Sequence, residues 1–187
     1  VEKAVIVGIG NIMFSDDGLG VYAAKYIEEN FIKPPNVDIV DGGTLGFSLM
    51  TYFQEYDYVC ILSTTSEGNH AGDLFHFSVE ELLQHGNCRQ SANEVEVVQM
   101  LEICSILDED MAEVDIVAMK PDDIMPVASQ LTERVKKHFP DFIQKAVAVL
   151  HERGISLHPK ETNKPLDEII HIYANPVQQT HNPLPKG

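Results

Sequence analysis

The chain lacks tryptophan altogether and has only three cysteines in 187 residues. Cys60, Cys88 and Cys104 lie far apart and form no CxxC pair, which excludes a dense disulfide framework and a cysteine-rich zinc site of the usual spacing. Cys60 and Cys104 sit in apolar surroundings and are expected as small buried hydrophobes. An odd count without a framework suits a reducing compartment. No apolar run approaches the ~18 residues of a spanning helix, and neither a leader nor a twin-arginine segment precedes the first strand-like run. A cytoplasmic protein without membrane insertion is therefore expected. Basic residues are scarce as well: 13 Lys and Arg stand against 29 Asp and Glu, a net charge of −16. Such a surface disfavours nucleic acid and anionic membrane and favours cationic partners. HExxH and G-x-S-x-G are absent. The eight histidines show no ligand spacing. His70, His85, His138, His151, His158 and His181 fall in polar loops or helix ends, and His76 and His171 in strand-like runs.

What is present is an alternation of strand-like and helix-like runs. Ala4–Ile9 is apolar throughout, as in a strand covered on both faces. A helix is expected from 20 to about 30, a strand over 36–40, a helix over 46–55 and a third strand over 58–62. Residues 73–78 read as a fourth strand, at an edge. Val97, Val98, Leu101 and Cys104 put an apolar face on a helix over 94–107. A buried strand follows at 114–119, then two helical pieces between 128 and 153, broken at Pro140 and closed by Gly154. This alternation predicts an α/β fold with a mostly parallel central sheet and helices on both faces. The expected organisation is one α/β domain over 1–156 and a proline-containing extension over 157–187. In the extension 169–173 is strand-like. In such sheets a site forms beyond the carboxyl ends of the strands, where strand order reverses. Residues 10–17, 41–44, 63–67 and the loop before Glu94 should gather there.

Chemistry concentrates in the first of these loops, Gly8-Ile9-Gly10-Asn11-Ile12-Met13-Phe14-Ser15-Asp16-Asp17-Gly18-Leu19-Gly20. A glycine turn after a first strand commonly cradles phosphate on backbone N–H groups, but two carboxylates there would repel it. Helix capping accounts for one of the acids; the pair suits a cation or proton transfer, with Asp17 directed into the crevice. Asp41-Gly42-Gly43-Thr44 ends the second strand. Its glycines suit a turn, and Asp41 either meets a ribose, as in dinucleotide sites, or faces Asp17 across the crevice. The run GIGNIM lacks the third glycine of a dinucleotide fingerprint, which favours the second reading.

The ordered set GIGNIMFSDDGLG, VDGGTLG at 40–46, an apolar third strand and QSANEVEVVQML at 90–101 resembles the hydrogenase maturation endopeptidases. Members of that family remove the C-terminal peptide of the nickel-loaded [NiFe] hydrogenase large-subunit precursor. The likeness covers 5–154. It implies a three-layer α/β sandwich, with that precursor as partner and its nickel as the metal recognised. It also implies three metal-binding positions: an acid in the first loop, an aspartate ending the third strand and a histidine in an S-x-H segment before a helix. These map to Asp17, Ser63 and Asn93, so Ser63 replaces the aspartate and Asn93 the histidine. No Asp or Glu lies in 58–66 and no His in 86–107, so a shifted alignment restores neither. A hydroxyl and an amide are poor ligands for a borderline divalent metal, and Asn93 cannot shuttle a proton near neutral pH. The remaining acids, Asp16, Asp17, Asp41 and Glu94, leave a harder cation as an alternative.

Two functions follow from the resemblance. One is an endopeptidase in which Asp17, Asp41 and Asp16 serve hydrolysis, and Gly10, Asn11, Gly42, Gly43 and Thr44 hold the substrate segment. The other is a non-cleaving relative that binds a hydrogenase subunit. A small-molecule-binding α/β domain is a third, weaker reading.

Overall fold

The computed structural model describes residues 1–44, 48–84, 92–107 and 111–175. Five strands form one sheet in the order β3-β1-β4-β6-β5, made of β1 (Ala4–Ile9), β3 (Val37–Gly43), β4 (Tyr58–Thr64), β5 (Leu74–Ser78) and β6 (Glu113–Met119). The first four strands in that order run parallel and β5 pairs antiparallel with β6 at one edge. The α/β three-layer expectation holds. Every residue of β1 and β4 is buried, because helices cover both faces of the sheet and a parallel strand has no wet side.

Successive side chains of a strand point to opposite faces, so the sheet divides the core in two. Ile6, Cys60 and Leu62 pack with α1 (Leu19–Asn30) and α5 (Glu133–Glu152). Val7, Val59 and Ile61 pack with α2 (Leu49–Glu55) and α4 (Ala92–Leu107). A short helix, α3 (Val79–Gln84), follows β5. Cys60 and Cys104 are buried, as expected. The face of α4 formed by Val97, Val98, Leu101 and Cys104 is buried. Among the described residues no helix is long and apolar enough to cross a membrane.

Several boundaries differ from the expectation. Both β3 and β4 run further toward the site than their apolar runs, because backbone pairing continues through Gly43 and Thr64. Pro140 does not split α5, which is a single helix of 20 residues starting at Glu133 rather than near 128. The proline is exposed, so its missing N–H falls on the solvent side while Phe139, Phe142 and Ile143 anchor the buried face. At the far end the N–H of Gly154 donates to the His151 carbonyl, as the cap requires.

The 169–173 run is helical, not a strand: it lies in α6 (Leu166–Ala174). A short apolar run is ambiguous by itself, and here Asp167 and Glu168 follow Pro165 as a helix start would have them. Ile169 and Ile170 are buried. Two short strands, β2 (Phe31–Ile32) and β7 (His158–Pro159), pair antiparallel at the end of α1. Nearby, Glu29 accepts from Lys164 Nζ at 2.5 Å and from the Tyr173 hydroxyl at 3.2 Å. Residues 176–187 lie outside the described part.

Candidate functional site

The parallel strands reverse order between β1 and β4, since β3 lies on one side of β1 and β4 on the other. A ligand crevice belongs beyond the carboxyl ends of such a pair. Helix α1 is brought close to that point by Gly20: a Cβ there would sit 2.1 Å from the Leu62 carbonyl oxygen and 2.3 Å from that of Ile9.

The loop after β1 is built by its own backbone. Gly10 has φ +143°, and a Cβ would lie 1.8 Å from the Asp17 carbonyl oxygen. Only glycine lets the chain fold back this tightly. The Gly10 N–H donates to the Gly43 carbonyl at 2.9 Å, which ties this loop to the end of β3. Asn11 N–H donates to Asp17 Oδ2 at 2.9 Å, and the Met13 N–H donates to Asn11 Oδ1 at 3.0 Å. A single 3-10 turn, Ser15–Gly18, carries both acids into α1.

The two acids then part company. Asp16 is fully buried and reaches a segment more than a hundred residues later. Its Oδ1 accepts the Thr132 N–H at 2.7 Å, and its Oδ2 accepts the N–H groups of Asp122 and Asp123 at 3.0 Å and the Thr132 hydroxyl at 2.9 Å. Asp17 is half-buried and holds the loop backbone at Asn11. On the neighbouring strand, Asp41 is exposed and its Oδ1 accepts the Gly43 N–H at 3.0 Å.

An open cavity of about 250 Å³ lies between the two loops, walled by Gly10, Asn11, Ile12, Val21, Asp41, Gly43 and Thr44. The structure thus brings together the 10–12 and 41–44 segments, as the sequence led us to expect. Asp16 and Asp17 are not among the lining side chains. Gly42 is buried within β3.

Ser63 is the penultimate residue of β4, on the face it shares with Val59 and Ile61. It is 4% exposed, and among the described residues its hydroxyl has no hydrogen-bond partner. A buried polar atom left unpaired is uncommon and carries a desolvation cost. Asn93 and Glu94 lie in the first turn of α4; their side chains lie outside the described residues. No three His, Cys, Asp or Glu side chains converge as metal ligands among the described residues. Of the mapped positions Asp17 and Ser63, only the first brings a charge, and one of its oxygens already accepts the Asn11 N–H. This donor set does not fit an independent nickel site, for which carboxylate, imidazole or thiolate would be needed.

Sequence reasoning missed the 121–132 segment and a second polar cluster. In the first case the available signal was Thr132 followed by Glu133, a helix cap and its acidic first turn. The Oγ1 of Thr132 accepts the Val135 N–H at 3.4 Å. The cluster lies at the opposite end of the sheet. Asp115, 1% exposed, meets His76 Nε2 at 2.8 Å, Arg153 Nε at 2.7 Å and the Tyr58 hydroxyl at 3.1 Å. Burial by itself would raise the Asp115 carboxyl, but Arg153, His76 and Tyr58 outweigh it and hold the group below the usual carboxylate range. Burial also pushes the neighbouring Cys60 thiol up to about 12, so it is not a reactive nucleophile.

Residues 21–149 match the family model described as hydrogenase maturation protease. The hydrogenase expression/formation protein HupD of Bradyrhizobium diazoefficiens is 26% identical over 96% of this chain and 93% of its own length. The hydrogenase 2 maturation protease of Escherichia coli is 25% identical over 85% of this chain and 97% of its own. Among solved structures, the hydrogenase maturating endopeptidase HybD from Escherichia coli superposes with a TM-score of 0.76. It is 24% identical, and the match covers 84% of this chain and 98% of that one.

Proposed function

The chain belongs to the hydrogenase maturation protease family, and from that premise we propose that it processes the C-terminal segment of a nickel-loaded hydrogenase large-subunit precursor. The observation that carries this reading is the pairing of the first loop with the 41–44 turn around one cavity at the strand-order reversal. The C-terminal segment enters that cavity and lies against Gly10, Asn11, Gly43 and Thr44 in its wall. Nickel arrives with the precursor as part of the substrate. Asp17, the one carboxylate at the mapped positions, attracts that end of the substrate electrostatically. Asp41 stands exposed in the cavity wall; it takes a proton from the water that attacks the scissile carbonyl and returns it to the departing amine as the C–N bond breaks. Asp16 acts at a distance, by holding the loop in shape.

A second reading, a relative that grips the precursor without cutting it, is favoured by the unpartnered Ser63 hydroxyl. At that position a neutral group replaces an anionic ligand.

One experiment separates the two. The protein is incubated with purified nickel-loaded precursor, and loss of its C-terminal peptide is followed by mass spectrometry. Cleavage by the natural sequence that is abolished in Asp17→Ala is the expected result for a protease. An intact precursor with the natural sequence, together with cleavage by the double variant Ser63→Asp and Asn93→His, would establish the non-cleaving reading instead.

A further inference from the structure

Eight large apolar side chains are exposed among the described residues, and four of them, Met13, Phe14, Met125 and Val127, come from two segments stitched together beside the cavity. Met125 is 81% exposed and Val127 75%. The stitching is backbone to backbone. Ala128 N–H donates to the Met13 carbonyl at 3.0 Å, the Ser15 N–H returns to the Ala128 carbonyl at 2.8 Å, and Phe14 and Ala128 form a parallel bridge. The buried Asp16 clamp fixes the same two segments from below. Asn11 and Ile12 wall the cavity, so Met13 and Phe14 continue its surface outward along the chain.

The fold gains nothing from leaving these side chains in water, since their burial would stabilise it. Clusters of this kind mark contact surfaces on chains that otherwise keep a charged exterior, and this one carries a net charge of −16. Exposed Asp122 and Asp123 flank the cluster and supply a polar rim. Unbranched methionine adapts to a partner's contours, and a clamped backbone lowers the ordering cost of binding. A cavity of about 250 Å³ holds only a short piece of chain, so affinity for a folded protein has to come from the surface around it.

Resting on the proposed function, we propose that Met13, Phe14, Met125 and Val127 form the docking surface for the folded body of the hydrogenase large-subunit precursor. The C-terminal segment of that precursor extends from this contact into the adjoining cavity. The occupant is argued from continuity: Met13 and Phe14 directly follow Asn11 and Ile12 of the cavity wall, so a protein whose end lies in the cavity meets this surface.

The test is the affinity for purified nickel-loaded precursor, measured by calorimetric titration. It compares the natural sequence, the double variant Met125→Asp with Val127→Asp, and Ile106→Asp as a control on the exposed side of α4. The double variant should bind about tenfold more weakly or worse, with an unchanged melting temperature, and the control should bind as the natural sequence does. Unchanged affinity in the double variant overturns the docking surface and leaves the proposed function standing. Failure of the natural sequence to bind the precursor at all overturns both. A natural-sequence dimer that the same pair of substitutions dissociates, seen by sedimentation, would identify a second copy as the occupant and overturn the proposal.

Discussion

Asp16 and Asp17 are neighbours of one residue type with separate tasks, and their surroundings explain the division. The carboxylate of Asp16 satisfies three backbone N–H groups and one hydroxyl in a dry position. Removing it leaves those donors unpaired, which costs more than the net worth of the bonds themselves. Asp16→Ala is expected to lower stability by about 2–4 kcal/mol, read as a shift of the urea midpoint. Amide exchange at Asp122, Asp123 and Thr132 should accelerate with it; unchanged exchange at those amides would contradict the clamp. Sequence reading recognised the acidic pair but grouped both acids as candidates for chemistry. Which of two adjacent carboxylates turns inward depends on donors 106 to 116 residues away, and no local pattern reports that. Ser63 is the opposite case: the sequence shows a neutral residue at a position that the resemblance maps to a ligand, and the structure adds that among the described residues its hydroxyl has no partner.

Elements were most legible where burial is one-sided or total. Ala4–Ile9 and the apolar face of α4 follow directly from hydrophobic pattern. The errors lie where two physical effects compete. A proline inside a helix removes one hydrogen bond and crowds the preceding turn, yet α5 continues through Pro140 because its apolar face packs on both sides of it. Tertiary burial outweighs the local defect, and the defect remains as a standing cost. Pro140→Ala is accordingly expected to raise stability by about 1–3 kcal/mol, measured by thermal melting. No gain would mean that the ring's own contacts, beside Phe139 and Ile143, compensate for the lost bond. In α6 the competition is between periods: Ile169, Ile170 and Tyr173 fit a strand run and a helix face alike. The seat offered by α1, through Glu29 and its neighbours, decides it.

At the scale of the whole molecule, acid sensitivity follows from carboxyls held low. Glu29 is lowered chiefly by its hydrogen bond from Lys164. Asp73 is lowered by backbone N–H groups, that of His70 first. Asp115 is lowered despite its burial. A carboxyl with a depressed folded value contributes stability that is complete above its unfolded value, near 3.9 for Asp, and is lost as pH falls through the folded value. Urea midpoints measured from pH 7 downward should therefore stay level to about pH 4 and then fall. Asp115→Asn should cost about 1–3 kcal/mol at neutral pH, because the part-exposed Arg153 loses its buried partner but keeps Glu113. The gap to the natural sequence should narrow in acid, and a gap that stays constant down to pH 2 would refute the assignment.

The long reach of Asp16 also bears on how the protein is made. The glycine loop leaves the ribosome before its clamp at Thr132, which follows Asp16 by 116 residues. Until then the loop has its glycines and its Asn11 turn but nothing beneath it. A nascent chain that has exposed only β1 through β5 lacks the donors that hold the Asp16 carboxylate. The loop's final geometry is therefore set only after every strand of the five-stranded sheet has been made.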